Sequence, residues 1–277
     1  MNKKGLFGKL AAAPHILWAV LFIVGPLIFV LYYAFTDRSG AFTLKNLTNA
    51  FSAQYLSVFI RSVVYSLIAT LLCLVIAYPV AYSIAQAKPK TQKILIMLIM
   101  LPMWMNFLIR VYSLMSIIGN AGIINSMLKS MGLPELSMIN TPGAVIFGMV
   151  YSYLPYMVLP IYTVMSKMDT RLIEAARDLG CNSGQVLSKV ILPLSVSGIV
   201  SGVTMVFVPS ISTFYISQKL GGGNFDLIGD TIERQFLLSN NYNFGAAISL
   251  ELMILILFCM TFMNRFSDGD ESGGMIV

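Results

Sequence analysis

The stretch Asp169-Thr-Arg-Leu-Ile-Glu-Ala-Ala-Arg-Asp-Leu-Gly180-Cys-Asn-Ser-Gly-Gln-Val-Leu-Ser-Lys-Val-Ile-Leu-Pro193 is the one long polar insert between two very apolar segments that shows helical order of its own. Leu172, Ile173, Ala175, Ala176 and Leu179 recur at spacings of three and four, which lays an apolar stripe along a short helix. Asp169 or Thr170 is placed to cap its start and Gly180 to end it. Asn182 or Ser183 can cap a second helix, and Gln185 stands three residues after Asn182 as in a capping box. That helix runs into Ile191, Leu192 and Pro193, where the membrane begins. The stretch reads as a helix-turn-helix against a bilayer surface. On physics alone an ordinary amphipathic connection between two spans explains it equally well.

The flanking segments set the class. Of 277 residues, 57% are hydrophobic and only 11% charged, against roughly a quarter charged in a soluble domain. The chain is an all-α integral membrane protein. Cys73, Cys181 and Cys259 lie far apart and read as small apolar filler, not as a disulfide scaffold or zinc site. With one histidine, His15, a His-based metal site or catalytic triad has almost no raw material, and no metal is expected. The net charge of +6 reports topology and does not call for nucleic acid.

Six runs are long enough for helices that cross a bilayer: His15–Phe35, Ser62–Ala87, Ile94–Ile118, Ala144–Ser166, Ile191–Ser217 and Phe244–Asn264. The first is longer than a signal-peptide core and no small-x-small cleavage site follows it, so it reads as an uncleaved span. The expected organisation is a short basic segment 1–13, a six-helix domain 14–266 holding the polar loop 167–190, and an acidic, glycine-rich disordered tail 267–277. The outer segments hold a short surface stretch at 46–51 and a short helix at 123–131. A glycine run at 221–223 is followed there by another short helix, suited to docking or simply solvated.

Orientation follows from Lys and Arg. With the N-terminus inside, the inner segments carry Lys3, Lys4, Lys9, Lys88, Lys90, Lys93, Lys167, Arg171, Arg177, Lys189 and Arg265, which is eleven. The outer ones carry Arg38, Lys45, Arg61, Lys129, Lys219 and Arg234, which is six. Both termini are therefore expected in the cytoplasm, with the loop 167–190.

No phosphate-binding loop, nucleophile elbow or His-Glu-x-x-His motif is present, so catalytic residues are not expected. Two charges fall inside spans. Arg110 and Glu251 are expected at similar depths, roughly 12 and 10 Å from the outer ends of their spans at about 1.5 Å per residue. They could pair as structural glue, or Glu251 could attract a cation in a translocation path. Trp104, Asn106, Tyr151, Tyr153 and Tyr156 lie on neighbouring spans. Aromatic faces with a carboxylate suit an ammonium ligand, although the tyrosines equally suit an interfacial belt.

Glu174-Ala175-Ala176, Gly180 and Val190-Ile191-Leu192-Pro193 resemble the Glu-Ala-Ala loop of ABC-importer membrane subunits. Val190 replaces the isoleucine of that pattern. Pro14-His-Ile-Leu-Trp, the run 77–82, Leu101-Pro-Met-Trp-Met-Asn106 with Ile109-Arg110, and Asn243-Phe-Gly-Ala-Ala-Ile-Ser249 are similar to permeases of the spermidine/putrescine ABC importer family. The resemblance implies a type I ABC importer permease (MetI-like) fold in a bacterial cytoplasmic membrane. It implies that Glu174, Ala175, Ala176, Gly180 and Pro193 serve ATPase coupling: the alanines allow close approach, Glu174 makes a polar contact and Gly180 sets the bend. Implied partners are a second permease, two ATPase subunits that bind ATP and Mg, and an extracytoplasmic polyamine-binding protein. No cofactor is expected in this chain. The loop does not distinguish polyamines from another small solute, such as ferric iron or an amino-acid derivative. A stand-alone secondary transporter, or a membrane scaffold, would not need the loop at all.

Overall fold

A computed structural model describes residues 14–223 and 225–271, and it is helical almost throughout. Segment 1–13 lies outside the described residues. The helices are α1 Pro14–Ala34, α2 Lys45–Ala50, α3 Ala53–Ala85, α4 Pro89–Trp104, α5 Phe107–Ile118, α6 Ile123–Ser130 and α7 Pro142–Met165. They continue with α8 Thr170–Asp178, α9 Ser183–Leu194, α10 Val196–Ser212, α11 Tyr215–Gly221, α12 Ile228–Glu233 and α13 Tyr242–Glu271. Helix α13 thus carries five residues past 266 into the expected tail; 272–277 lie outside the described residues.

Five helical stretches are long and apolar enough to span a bilayer, and α9 with α10, bent by 67°, makes a sixth. Two expected spans differ in form. The run 94–118 is two helices, α4 and α5, and the stretch long enough to cross a bilayer starts only at Phe107 and runs on to Ser130. Pro102 lacks an N–H near the end of α4, Met105 turns extended, and Asn106 opens a new helix by accepting from the Leu108 N–H at 2.8 Å. The run 191–217 bends at Ser195 and ends at Ser212, after which α11 starts separately. The second span also begins earlier than expected, at Ala53, so that Arg61 belongs to α3 and not to an outer segment.

The chain forms two compact units. One comprises the described residues up to 57 and 231–255. In it the Asn243 amide, at the start of α13, donates to the carbonyls of Tyr33 at 3.2 Å and Thr36 at 2.7 Å, and Asn46 also donates to Thr36 at 2.8 Å. These bonds satisfy the carbonyls left over where α1 ends. Ala34, Ala246, Ala247 and Leu250 form the apolar contact beneath them.

The second unit comprises the described residues between 58 and 230 and those from 256 to 271. Its core is α7 against α10. Gly198 and Gly202 stand four apart on α10 and let the two backbones touch. A Cβ at Gly202 would sit 2.7 Å from the Met157 sulfur, and one at Gly198 would sit 3.0 Å from the Pro160 carbonyl oxygen. Gly148 of α7 receives Ile216 and Leu220 of α11 in the same way. Ala69, Cys73, Ala77 and Ala81 form a small-residue stripe on α3 that is fully buried in this core.

Candidate functional site

The loop 167–190 is built from local bonds. The Asp169 carboxylate accepts from the Arg171 N–H at 3.0 Å and caps α8. At the other end the Cys181 N–H donates to the Ala176 carbonyl at 3.1 Å and the Gly180 N–H to the Arg177 carbonyl at 2.9 Å. Gly180 has φ +83°, the left-handed conformation that such a helix end requires. A Cβ there would touch nothing within 4 Å, so the backbone, not space, selects glycine. Asn182 and Gln185 close a reciprocal capping box, both bonds at 2.9 Å. Pro193 lies exposed at the start of the last turn of α9, just after a π-turn over Leu187–Ile191.

The apolar stripe of α8 is divided. At about 100° per residue its five members cover about 160° of the helix surface. The chain covers only one edge: Ile173 and Ala176 are buried, in a cluster with Val186 and Ile191. Leu172 is 48% and Leu179 86% exposed with Ala175 exposed beside them, and Glu174 is exposed on the opposite face of α8. Of the two alanines expected to allow close approach, only one is exposed. That one is Ala175, whereas Ala176 packs inward and joins α8 to its own spans.

The in-span residues are dispersed. Arg110 lies on the first turns of α5, 6% exposed, and donates from a terminal guanidinium nitrogen to the Ser152 carbonyl at 3.3 Å. Its guanidinium also lies 5.7 Å from the centre of the Phe107 ring. Tyr153 is buried, donates to the Pro209 carbonyl at 3.4 Å, and has its ring 6.3 Å from that of Tyr156. Tyr156 and Tyr151 are each 37% exposed and about 140° apart around α7. Trp104 is 73% exposed at the end of α4. The side-chain oxygen of Asn106 is taken up as the cap of α5. Glu251, on α13 in the other unit, is partly buried, with one carboxylate oxygen inaccessible and without a hydrogen-bond partner. Among the described residues no group of His, Cys, Asp or Glu could hold a metal ion.

Structural residues missed in the sequence sit at the helix breaks. Gln92 donates to the carbonyls of Ala85 at 3.0 Å and Ala87 at 2.8 Å and accepts from the Tyr162 hydroxyl at 3.1 Å, tying the α3–α4 turn to α7. Ser195, at the bend between α9 and α10, lies 3.1 Å from the Tyr78 hydroxyl and donates to the Leu192 carbonyl at 2.9 Å. A polar residue beside a proline was the available signal for Ser195. The Gly198-x3-Gly202 spacing was the one for the α7–α10 contact.

A loop helix with an uncovered apolar edge, set on a bundle of broken spans, is the architecture of a transport permease subunit. Residues 77–270 match the model of the family described as "Binding-protein-dependent transport system inner membrane component", and the chain belongs to that family. It is 40% identical over 258 residues to the spermidine/putrescine transport system permease protein PotB of Haemophilus influenzae, covering 90% of each chain. Identity to the PotB protein of Escherichia coli K12 is 38% over 247 residues, covering 86% of this chain and 90% of that one. In fold it matches a chain of a bacterial ABC transporter involved in import of the acidic polysaccharide alginate, with TM-score 0.81 and 18% identity over 96% of both chains. A second alginate transporter structure, in complex with an alginate pentasaccharide-bound periplasmic protein, matches equally at TM-score 0.81 with 17% identity. The fold is thus that of an ABC importer permease, MetI-like, in a multi-pass inner-membrane protein.

Proposed function

We propose that this chain is one of two permease subunits of an ATP-driven importer of polyamines, spermidine or putrescine. Both termini and the loop 167–190 lie in the cytoplasm. An extracytoplasmic binding protein delivers the solute, a second permease completes the path, and two ATPase subunits bind ATP and Mg and drive the cycle. This chain performs no catalysis of its own.

The observation that carries this reading is the divided stripe of α8. A leucine 86% exposed on a rigid, fully capped loop suits burial in another protein, because that apolar surface is removed from water only on docking. The inner edge, Ile173 and Ala176, would pass motion of the docked helix to the spans. Glu174, exposed on the polar face of α8 opposite the stripe, makes the polar contact. The substrate assignment is supported by the PotB relatives, which are 37–40% identical and are named for spermidine and putrescine transport. It is further supported by the unpartnered carboxylate oxygen of Glu251, since a polyamine is a flexible multivalent ammonium. The exposed aromatics Trp104, Tyr151 and Tyr156 are candidates for cation–π contact with an ammonium group.

The test is uptake of labelled spermidine and putrescine in cells lacking this chain, with and without its re-expression beside the partner subunits. Restored uptake that stops when ATP is depleted is the expected result. Uptake that fails to return although the complex assembles would remove polyamines and favour another small solute.

A further inference from the structure

We propose that the α3–α4 hairpin holds one anionic phospholipid, its acyl chain in an apolar groove and its headgroup against Lys88, Lys90 and Lys93. The groove lies between the last turns of α3 and the middle of α4, with a volume of about 450 Å³, the scale of a ligand pocket. Pro79, Ser83 and Ile84 line one wall and Leu95, Leu98 and Ile99 the other. The only side-chain hydroxyl among these, that of Ser83, is turned back to the Pro79 carbonyl at 2.7 Å. The walls therefore offer a hydrocarbon chain a continuous apolar surface.

The turn that closes the groove supplies the charge. Lys88, Lys90 and Lys93 are all exposed, Ile84 precedes Lys88 by four residues, and Leu95 follows Lys93 by two. No Asp or Glu occurs between Asp37 and Glu135, so this hairpin carries no acidic residue of its own to neutralise them. The turn is also rigid: Gln92 fastens the carbonyls of Ala85 and Ala87 and is held by Tyr162. Exposed lysines on the turn and first turns of α4, at the end of a span beside an apolar groove, offer ammonium groups to a phosphate headgroup with its chain below. This inference rests on the membrane-spanning fold and the inward placement of the lysines, and not on the identity of the transported solute.

The test uses the full chain assembled with its partner subunits and purified in mild detergent. Bound lipids are identified by native mass spectrometry. Phosphatidylglycerol or cardiolipin is expected to be retained over phosphatidylethanolamine. The combined change Lys88→Gln, Lys90→Gln and Lys93→Gln should reduce that retention at least about tenfold, since each lysine near an anionic surface contributes roughly fivefold. The matching Lys→Arg variant should keep it, which separates charge from folding. A photoreactive residue in place of Ser83 should give an adduct with phospholipid. Equal retention in the Gln variant, or an adduct only with another protein chain, would overturn the proposal, the second outcome showing that a helix fills the groove. Polyamine uptake, measured separately, can fail while lipid retention stands, and the reverse.

Discussion

The loop 167–191 and the interior of the spans place their polar and apolar groups in opposite ways. In the loop the capping side chains of Asp169, Asn182 and Gln185 are all hydrogen-bonded, while Leu172 and Leu179 are left exposed. In the core between the spans Met149, Met157 and Ile161 are fully buried, while Ser66, Arg110, Ser152, Ser210 and Glu251 each keep a buried polar atom without a hydrogen-bond partner. An exposed leucine on a rigid loop calls for another protein, and a buried unpartnered oxygen or nitrogen calls for a polar guest. On the proposed function the loop supplies a docking contact and Glu251 a polar contact for the solute.

The sharpest way to break the comparison is at the loop. Gly180→Val should abolish ATP-dependent uptake while the complex still reaches the membrane. The left-handed φ at that position costs a β-branched residue about 1–2 kcal/mol, enough to shift the angle between α8 and α9 without unfolding the spans. Uptake assays with quantification of the chain in membranes check this, and normal uptake would remove the loop's role. Glu251→Gln comes next. Uptake is expected to fall about tenfold, a loss of roughly 1.4 kcal/mol, with unchanged thermal stability, because the carboxylate oxygen has no bond to lose.

Arg110→Met should act in the opposite sense. The guanidinium already serves the framework through Ser152 and Phe107, so its loss should lower the melting temperature of the purified complex, by roughly 1–3 kcal/mol of stability. Uptake per folded complex should be retained. If uptake were lost at unchanged stability, Arg110 would belong to the route and not to the frame. The smallest effect is expected from Asn182→Ala, which removes one half of the capping box at a cost of about 1 kcal/mol and should only modestly reduce uptake.

What the sequence made legible divides along the same line. Asp169, Gly180, Asn182 and Gln185 act on residues within five positions of themselves, so their bonds could be read from spacing. The six apolar runs were legible because a bilayer demands length and little else. The break at Asn106 was not, because Met105 turns extended inside a run that remains apolar on both sides. Nor was the inward turn of Ala176, which depends on Val186 and Ile191 folding back onto it. Arg110 was visible as a charge, but its partner Ser152 lies 42 residues on and reaches it only through the packing of α5 against α7.

The most direct test is substrate-stimulated ATP hydrolysis by the reconstituted complex with Leu179→Asp, beside Leu179→Met. Leu179 is 86% exposed in this chain, so either change should leave stability within about 0.5 kcal/mol. With spermidine-loaded binding protein present, the methionine variant should hydrolyse ATP like the parent complex. The aspartate variant should lose the stimulation, because a charge would be buried where an apolar edge docks. Full stimulation with aspartate at position 179 would contradict the claim that this edge of α8 couples the permease to its ATPase.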